Sequence, residues 1–191
     1  MHRRSLVVVP IVLASLAAGC ARDATPTGAA TASAHKFQQL GSRQLLPQSL
    51  LPRLDGEGVL DTSSLHGTPA VLNFWATWCA FCVEEMPALE AVHREVRNHV
   101  RFVGIDREDD LDKARTLAEK TGVSYELVAD EDGSFFRALQ GRGMPTTVLV
   151  SADGSIVYRH AGPLTANELR RLIAEHLDVP AGRDEEKKPP V

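Results

Sequence analysis

Apolar residues fall into two kinds of run along this chain. Ala70-Val71-Leu72-Asn73-Phe74-Trp75 is almost continuously hydrophobic and follows the breaker Gly67-Thr68-Pro69, the pattern of a short strand buried on both faces. Past Cys82 the spacing changes. Met86, Leu89, Val92 and Val96 recur every three or four residues and predict a long amphipathic helix from Cys79 to about Asn98. Pro87 lies inside it and is expected to kink or interrupt the first turns, because its ring displaces a backbone hydrogen bond. Arg101 to Asp106 predicts a second buried strand, Leu111 to Lys120 a helix closed by Thr121-Gly122, Glu126 to Ala129 a further strand, and Ser134 to Leu139 a short helix. Thr146 to Val150 and Ser155 to His160, joined across Ala152-Asp153-Gly154, predict a hairpin turning on Asp-Gly. Thr165 and Glu168 form a capping box that opens the last helix. This order predicts an α/β fold with a mixed central sheet and helices on both faces.

The ends of the chain lack this patterning. His2-Arg3-Arg4, then an apolar stretch from Leu6 to Ala18 closing on small residues, read as a signal peptide over residues 1–19. That stretch is short for crossing a bilayer. Residues 20–42 are mostly Ala, Thr, Ser and Gly with charge, the composition of a flexible linker, and residues 181–191 form a charged, proline-ended tail expected to be disordered. Residues 43–180 are left as one domain of ordinary size. The formal charge of -4 includes Arg3 and Arg4, so removal of the leader leaves the chain more acidic. No basic patch interleaved with aromatics is present, which argues against nucleic acid as a partner.

The chain has three cysteines, a close pair and a lone one. Cys79 and Cys82 stand where the first strand gives way to the long helix. Backbone N–H groups left unpaired at a helix start, together with the positive end of the helix dipole, ease loss of a thiol proton and make Cys79 nucleophilic. With two residues between them the sulfurs can close a small ring and reopen it. A permanent structural disulfide, or half of a metal site, uses the same residues. A structural zinc needs two more ligands, and no second Cys pair or closely spaced His pair follows. His66, His93, His99, His160 and His176 are scattered and receive no role; Trp75 and Trp78 are expected to be core and rim packing, with Trp78 shielding one side of the sulfur pair.

Asn73-Phe74-Trp75-Ala76-Thr77-Trp78-Cys79-Ala80-Phe81-Cys82, followed by Gly143-Met144-Pro145-Thr146-Thr147, resembles the thioredoxin superfamily, and within it the membrane-anchored extracytoplasmic reductases of the TlpA/ResA type. The likeness spans about Leu46 to Leu177. Asn73 stands where cytoplasmic thioredoxin has a buried Asp, Glu85-Met86-Pro87 follows the second cysteine as in that subgroup, and Phe102 to Arg115 looks like its inserted strand and helix. The resemblance implies a thioredoxin fold with an N-terminal extension. It also implies that Cys79 attacks and Cys82 resolves, that Glu85 accepts protons near the pair, and that Pro145 is a cis-proline whose loop presents Met144 to substrate beside Trp78. Leu16-Ala17-Ala18-Gly19-Cys20 resembles the lipobox of bacterial lipoproteins, although Leu16 lies four residues before the cysteine rather than three; lipidation of Cys20 would anchor the chain to the cell membrane. A plain signal peptide, or an uncleaved anchor, is the alternative.

The resulting expectation is a thiol-disulfide oxidoreductase of the cell envelope that reduces protein disulfides, as in cytochrome c maturation, where apocytochrome c would be its substrate. A membrane thiol-disulfide donor or acceptor would complete the electron path, and the two sulfurs carry the electrons without a cofactor. Ala80-Phe81 lacks both the Gly-Pro of thioredoxin and the Pro-His of strong oxidants, so the direction stays open. An oxidase of secreted proteins and a copper-binding chaperone are the alternatives.

Overall fold

The computed structural model describes residues 44–107 and 109–179. The expected signal peptide, Cys20, the linker and the tail from residue 181 lie outside the described residues. Two short antiparallel strands come first, β1 (Leu50–Pro52) and β2 (Val59–Asp61), followed by a 3-10 turn at Thr62–Leu65. Then come β3 (Ala70–Trp75), α1 (Ala80–Val96), β4 (Arg101–Arg107), α2 (Leu111–Thr121), β5 (Glu126–Asp130), α3 (Ser134–Ala138), β6 (Thr146–Val150), β7 (Ile156–Ala161) and α4 (Ala166–His176).

The main sheet has five strands in the order β5-β4-β3-β6-β7, with β3 at its centre. Parallel pairing of β3 with β4 and of β4 with β5, and antiparallel pairing of β3 with β6 and β6 with β7, make the sheet mixed. Burial of all six β3 residues explains why that segment is nearly uniform in hydrophobicity, since it is covered above and below. Ala70, Leu72 and Phe74 face a core shared with Leu51 and Leu60 of the hairpin and Phe135 and Phe136 of α3. On the other face, Val71 meets Leu89 and Val92 of α1 and Leu169 and Ile173 of α4, and Trp75 meets Cys82 and Met86 of α1 and Ala114 of α2. Helices therefore cover both faces, as the element order predicts.

The capping box of α4 forms as expected, Thr165 accepting from the Glu168 N–H while Glu168 accepts from the Thr165 N–H. One expectation is corrected. Pro87 does not interrupt α1, which runs from Ala80 to Val96 through it. Met86 and Leu89 on either side of the proline are 0% and 1% exposed, so packing against β3 holds the segment helical despite one missing N–H. The hairpin of β1 and β2 is an addition that the pattern of apolar positions did not predict. It lies along β5, where the Leu54 N–H donates to the Leu127 carbonyl at 2.9 Å and Arg53 bonds Glu126 at 2.7 Å, covering part of an edge strand.

Candidate active site

β3 ends at Trp75, and four residues later Cys79 occupies the N-cap of α1 with extended backbone angles. The turn between them is closed by the Cys79 N–H on the Ala76 carbonyl at 3.1 Å. Cys79 Sγ accepts from the Cys82 N–H at 3.3 Å, so the first sulfur lies against the unpaired amides of the first helical turn. Negative charge developing on that sulfur is stabilised there by the N–H group and by the helix dipole. Cys79 and Cys82 are joined in a disulfide with Cα atoms 5.3 Å apart. Cys79 is 7% exposed and Cys82 0%, so an incoming sulfur reaches the first of the pair.

Around this sulfur the surface is apolar. Trp78 and Phe81 are 62% and 61% exposed, on either side of Cys79 in sequence. Trp75, by contrast, is fully buried, so the two tryptophans divide into core and rim as expected. Met144 is half-buried and packs against the cluster that contains both cysteines, which brings the segment before β6 to the disulfide. The Met144–Pro145 bond is cis. Pro145 is fixed at the strand entrance by its carbonyl, which accepts from the Gly162 N–H at 2.9 Å, and by the Thr146 hydroxyl donating to the Gly143 carbonyl at 2.6 Å.

Glu85 lies one turn after Cys82 on the buried face of α1 and is 4% exposed. Its Oε1 accepts from Asn73 Nδ2 and its Oε2 from the Leu164 N–H, each at 2.8 Å. Burial dominates and pushes its carboxyl up to about 7, although both hydrogen bonds pull the other way. Asn73 also donates to Thr147 Oγ1 at 3.3 Å, linking β3, β6 and α1 through side chains. Of the histidines, for which the sequence indicates no role, His93 packs on Phe102 and Tyr125, and His176 stacks on Tyr158.

Several contributors were not singled out in the sequence. Leu164 supplies only a backbone N–H, for which no residue type is required. Thr77 donates through its N–H and its hydroxyl to Asp109, and Asp106 lies buried beside them. The available signal was a carboxylate, Asp106, directly after the uncharged run Phe102 to Ile105 of β4. Among the described residues, no group of three or more His, Cys, Asp or Glu side chains is arranged to hold a metal ion, and no helix is long and apolar enough to cross a membrane.

Residues 32–173 match the family described as Redoxin. The chain is 28% identical over 173 residues to the thiol:disulfide interchange protein DsbE of Vibrio cholerae, covering 90% of this chain and 92% of that protein. It is 30% identical over 131 residues to the thiol-disulfide oxidoreductase ResA of Halalkalibacterium halodurans, covering 68% and 72%. Among solved structures, a secreted Mycobacterium tuberculosis disulfide oxidoreductase, described as homologous to Escherichia coli DsbE, superposes with a TM-score of 0.62 at 30% identity, covering 67% of this chain and 96% of that one.

Proposed function

Because this chain belongs to the Redoxin family and is a thiol-disulfide oxidoreductase, we propose that it works in the reducing direction, with Cys79 attacking and Cys82 resolving. In that direction the Cys79 thiolate attacks one sulfur of a substrate disulfide, forms a mixed disulfide and expels the first substrate thiolate. The Cys82 thiolate then attacks Cys79 Sγ, expels the second substrate thiolate and restores the Cys79–Cys82 bond. Two electrons pass to the substrate, and two protons complete its thiols. A thiol-disulfide donor of the membrane would reduce the couple again.

The observation that carries the direction is the buried Glu85 on the helix of the couple. A strong oxidant stabilises its reduced thiolate, whereas a carboxyl beside the couple opposes a second negative charge and favours the disulfide, which lowers the reduction potential. Ala80 and Phe81 between the cysteines bring no countercharge. Glu85, with its carboxyl raised to about 7, is also suited to receive the Cys82 proton as the mixed disulfide resolves.

The protein acts outside the cytoplasm on cysteine-containing proteins. Apocytochrome c is the substrate we assign, on the resemblance to the TlpA/ResA group, with the chain held at the membrane through lipidated Cys20. Trp78, Met144 and the Pro145 loop form the face that meets it. The test replaces Cys82 with Ser, traps the stalled mixed disulfide at Cys79 in cells and identifies the attached protein. A trapped Cys-x-x-Cys-His protein supports the reading. A broad set of secreted proteins, together with a reduction potential well above that of thioredoxin, points to the oxidase instead; stoichiometric copper binding that needs both thiols points to the chaperone.

A further inference from the structure

Thr77 stands two residues before Cys79, inside the turn that delivers the attacking sulfur. Its N–H and its hydroxyl both donate to the Asp109 carboxylate, the hydroxyl at 2.8 Å. Next to Asp109 lies Asp106, near the end of β4 and 1% exposed. The strand register sets Asp106 between Trp75 and Ala129, which belong to the apolar cluster that also holds Cys79 and Cys82. Neither Asp106 oxygen meets a hydrogen-bond donor among the described residues. Its polar neighbour, Asp109, is another carboxyl. Two carboxylates only accept, so they can bond to each other only with a proton between them.

We propose that Asp106 is a positioning residue for the disulfide chemistry: protonated, it donates to Asp109 and holds that carboxylate on Thr77, and once ionised it repels Asp109 and loosens the turn that carries Cys79. Burial, and after it the charge of Asp109, push the Asp106 carboxyl up to about 7, which sets the transition near neutral pH.

Among the described residues, the following charged groups on neighbouring elements have contacts of their own. α1 presents Cys82 and Glu85 on this side, and Glu85 is engaged with Asn73 and Leu164. At the start of α2, Asp110 and Lys113 are exposed and pair with each other at 3.6 Å. From β5, Asp130 accepts from the Phe135 and Phe136 N–H groups on the opposite face, where the Arg107 guanidinium also lies over Phe136. β3 contributes Trp75 and no charge at this register.

The consequence for the reaction rests on Cys79 as attacking thiol, but the test reads the carboxyl and the turn directly. In the oxidised full-length protein, the Asp106 side-chain carboxyl carbon and the Thr77 amide are followed by NMR from pH 4 to pH 9. The expected result is one shared midpoint near pH 7 in the wild type and again in Glu85→Gln, which removes the other carboxyl that burial raises to about 7. In Asp106→Asn, whose amide can donate to Asp109 at every pH, the Thr77 step disappears. The alkylation rate of Cys79 in the reduced protein loses the matching inflection, a change of twofold or more across that range. An Asp106 midpoint in the ordinary carboxyl range overturns the proposal, as does a Thr77 step that survives Asp106→Asn. If Asp106→Asn fails to fold, the wild-type and Glu85→Gln titrations decide alone.

Discussion

Asn73 on β3 and Glu85 on α1 face each other inside the molecule, Nδ2 donating to Oε1 at 2.8 Å. The amide cannot ionise, so the buried carboxyl is left as the titrating group of this pair. A neutral partner stabilises the charged form of Glu85 less than a cation would, and burial prevails.

That balance predicts a pH dependence of stability. Glu85 holds its proton more tightly folded than unfolded, so its contribution is fully present below about pH 4.5 and is lost as pH rises through about 7. The shift from 4.5 to about 7 corresponds to roughly 3 kcal/mol at most. Denaturant unfolding at pH 5 and pH 8 should show the wild type losing more stability between these values than Glu85→Gln does. Equal losses in the two proteins would remove Glu85 as a buried titrating group.

The two sulfurs should behave unequally. Cys79→Ser is expected to abolish exchange with an external dithiol, whereas Cys82→Ser should still form a mixed disulfide that does not resolve, because only Cys79 has access to reagents. Mass spectrometry of each variant after incubation with a disulfide-containing peptide distinguishes them. Adducts on Cys82 in the Cys79→Ser protein at the wild-type rate would contradict the order of attack.

Trp78 and Phe81 offer apolar area to a partner without supporting the core. Replacing either by Ala should leave the melting temperature within a degree or so, while weakening protein substrates by about 1–2 kcal/mol, seen as a raised KM with kcat little changed. The same variants should reduce a small dithiol-accessible substrate at the wild-type rate. A fall in stability in place of the KM effect would mean that these rings pack rather than dock.

Gly104 on β4 is a point of close approach. A Cβ there would lie 2.5 Å from Leu127 Cδ2, 2.9 Å from Tyr125 Cε2 and 3.3 Å from Trp75 Nε1. Leu127 can swing aside, but the two rings are held, so Gly104→Ala should destabilise by about 1–3 kcal/mol in denaturant unfolding. Retention of wild-type stability would show that the strand can shift away from Tyr125.

The sequence by itself determined what neighbouring residues decide. The apolar run of β3, the spacing along α1, the Asp-Gly turn before β7 and the Thr165–Glu168 box are all short-range patterns, and each appears where its residues predict. Cys79 at a helix start was legible for the same reason, because an N-cap is set by the chain on either side of it. Pro87 shows the limit of such local rules, since buried neighbours overrode its tendency to break a helix. The environment of the carboxyls could not be read this way. Glu85 meets Leu164 across 79 positions, and Asp109 meets Thr77 across 32. Folding alone places Asp106 in an apolar cluster with a second carboxyl as its neighbour. A carboxyl's ionisation depends on the water it loses and the groups that replace that water, and here distant segments of the chain supply both.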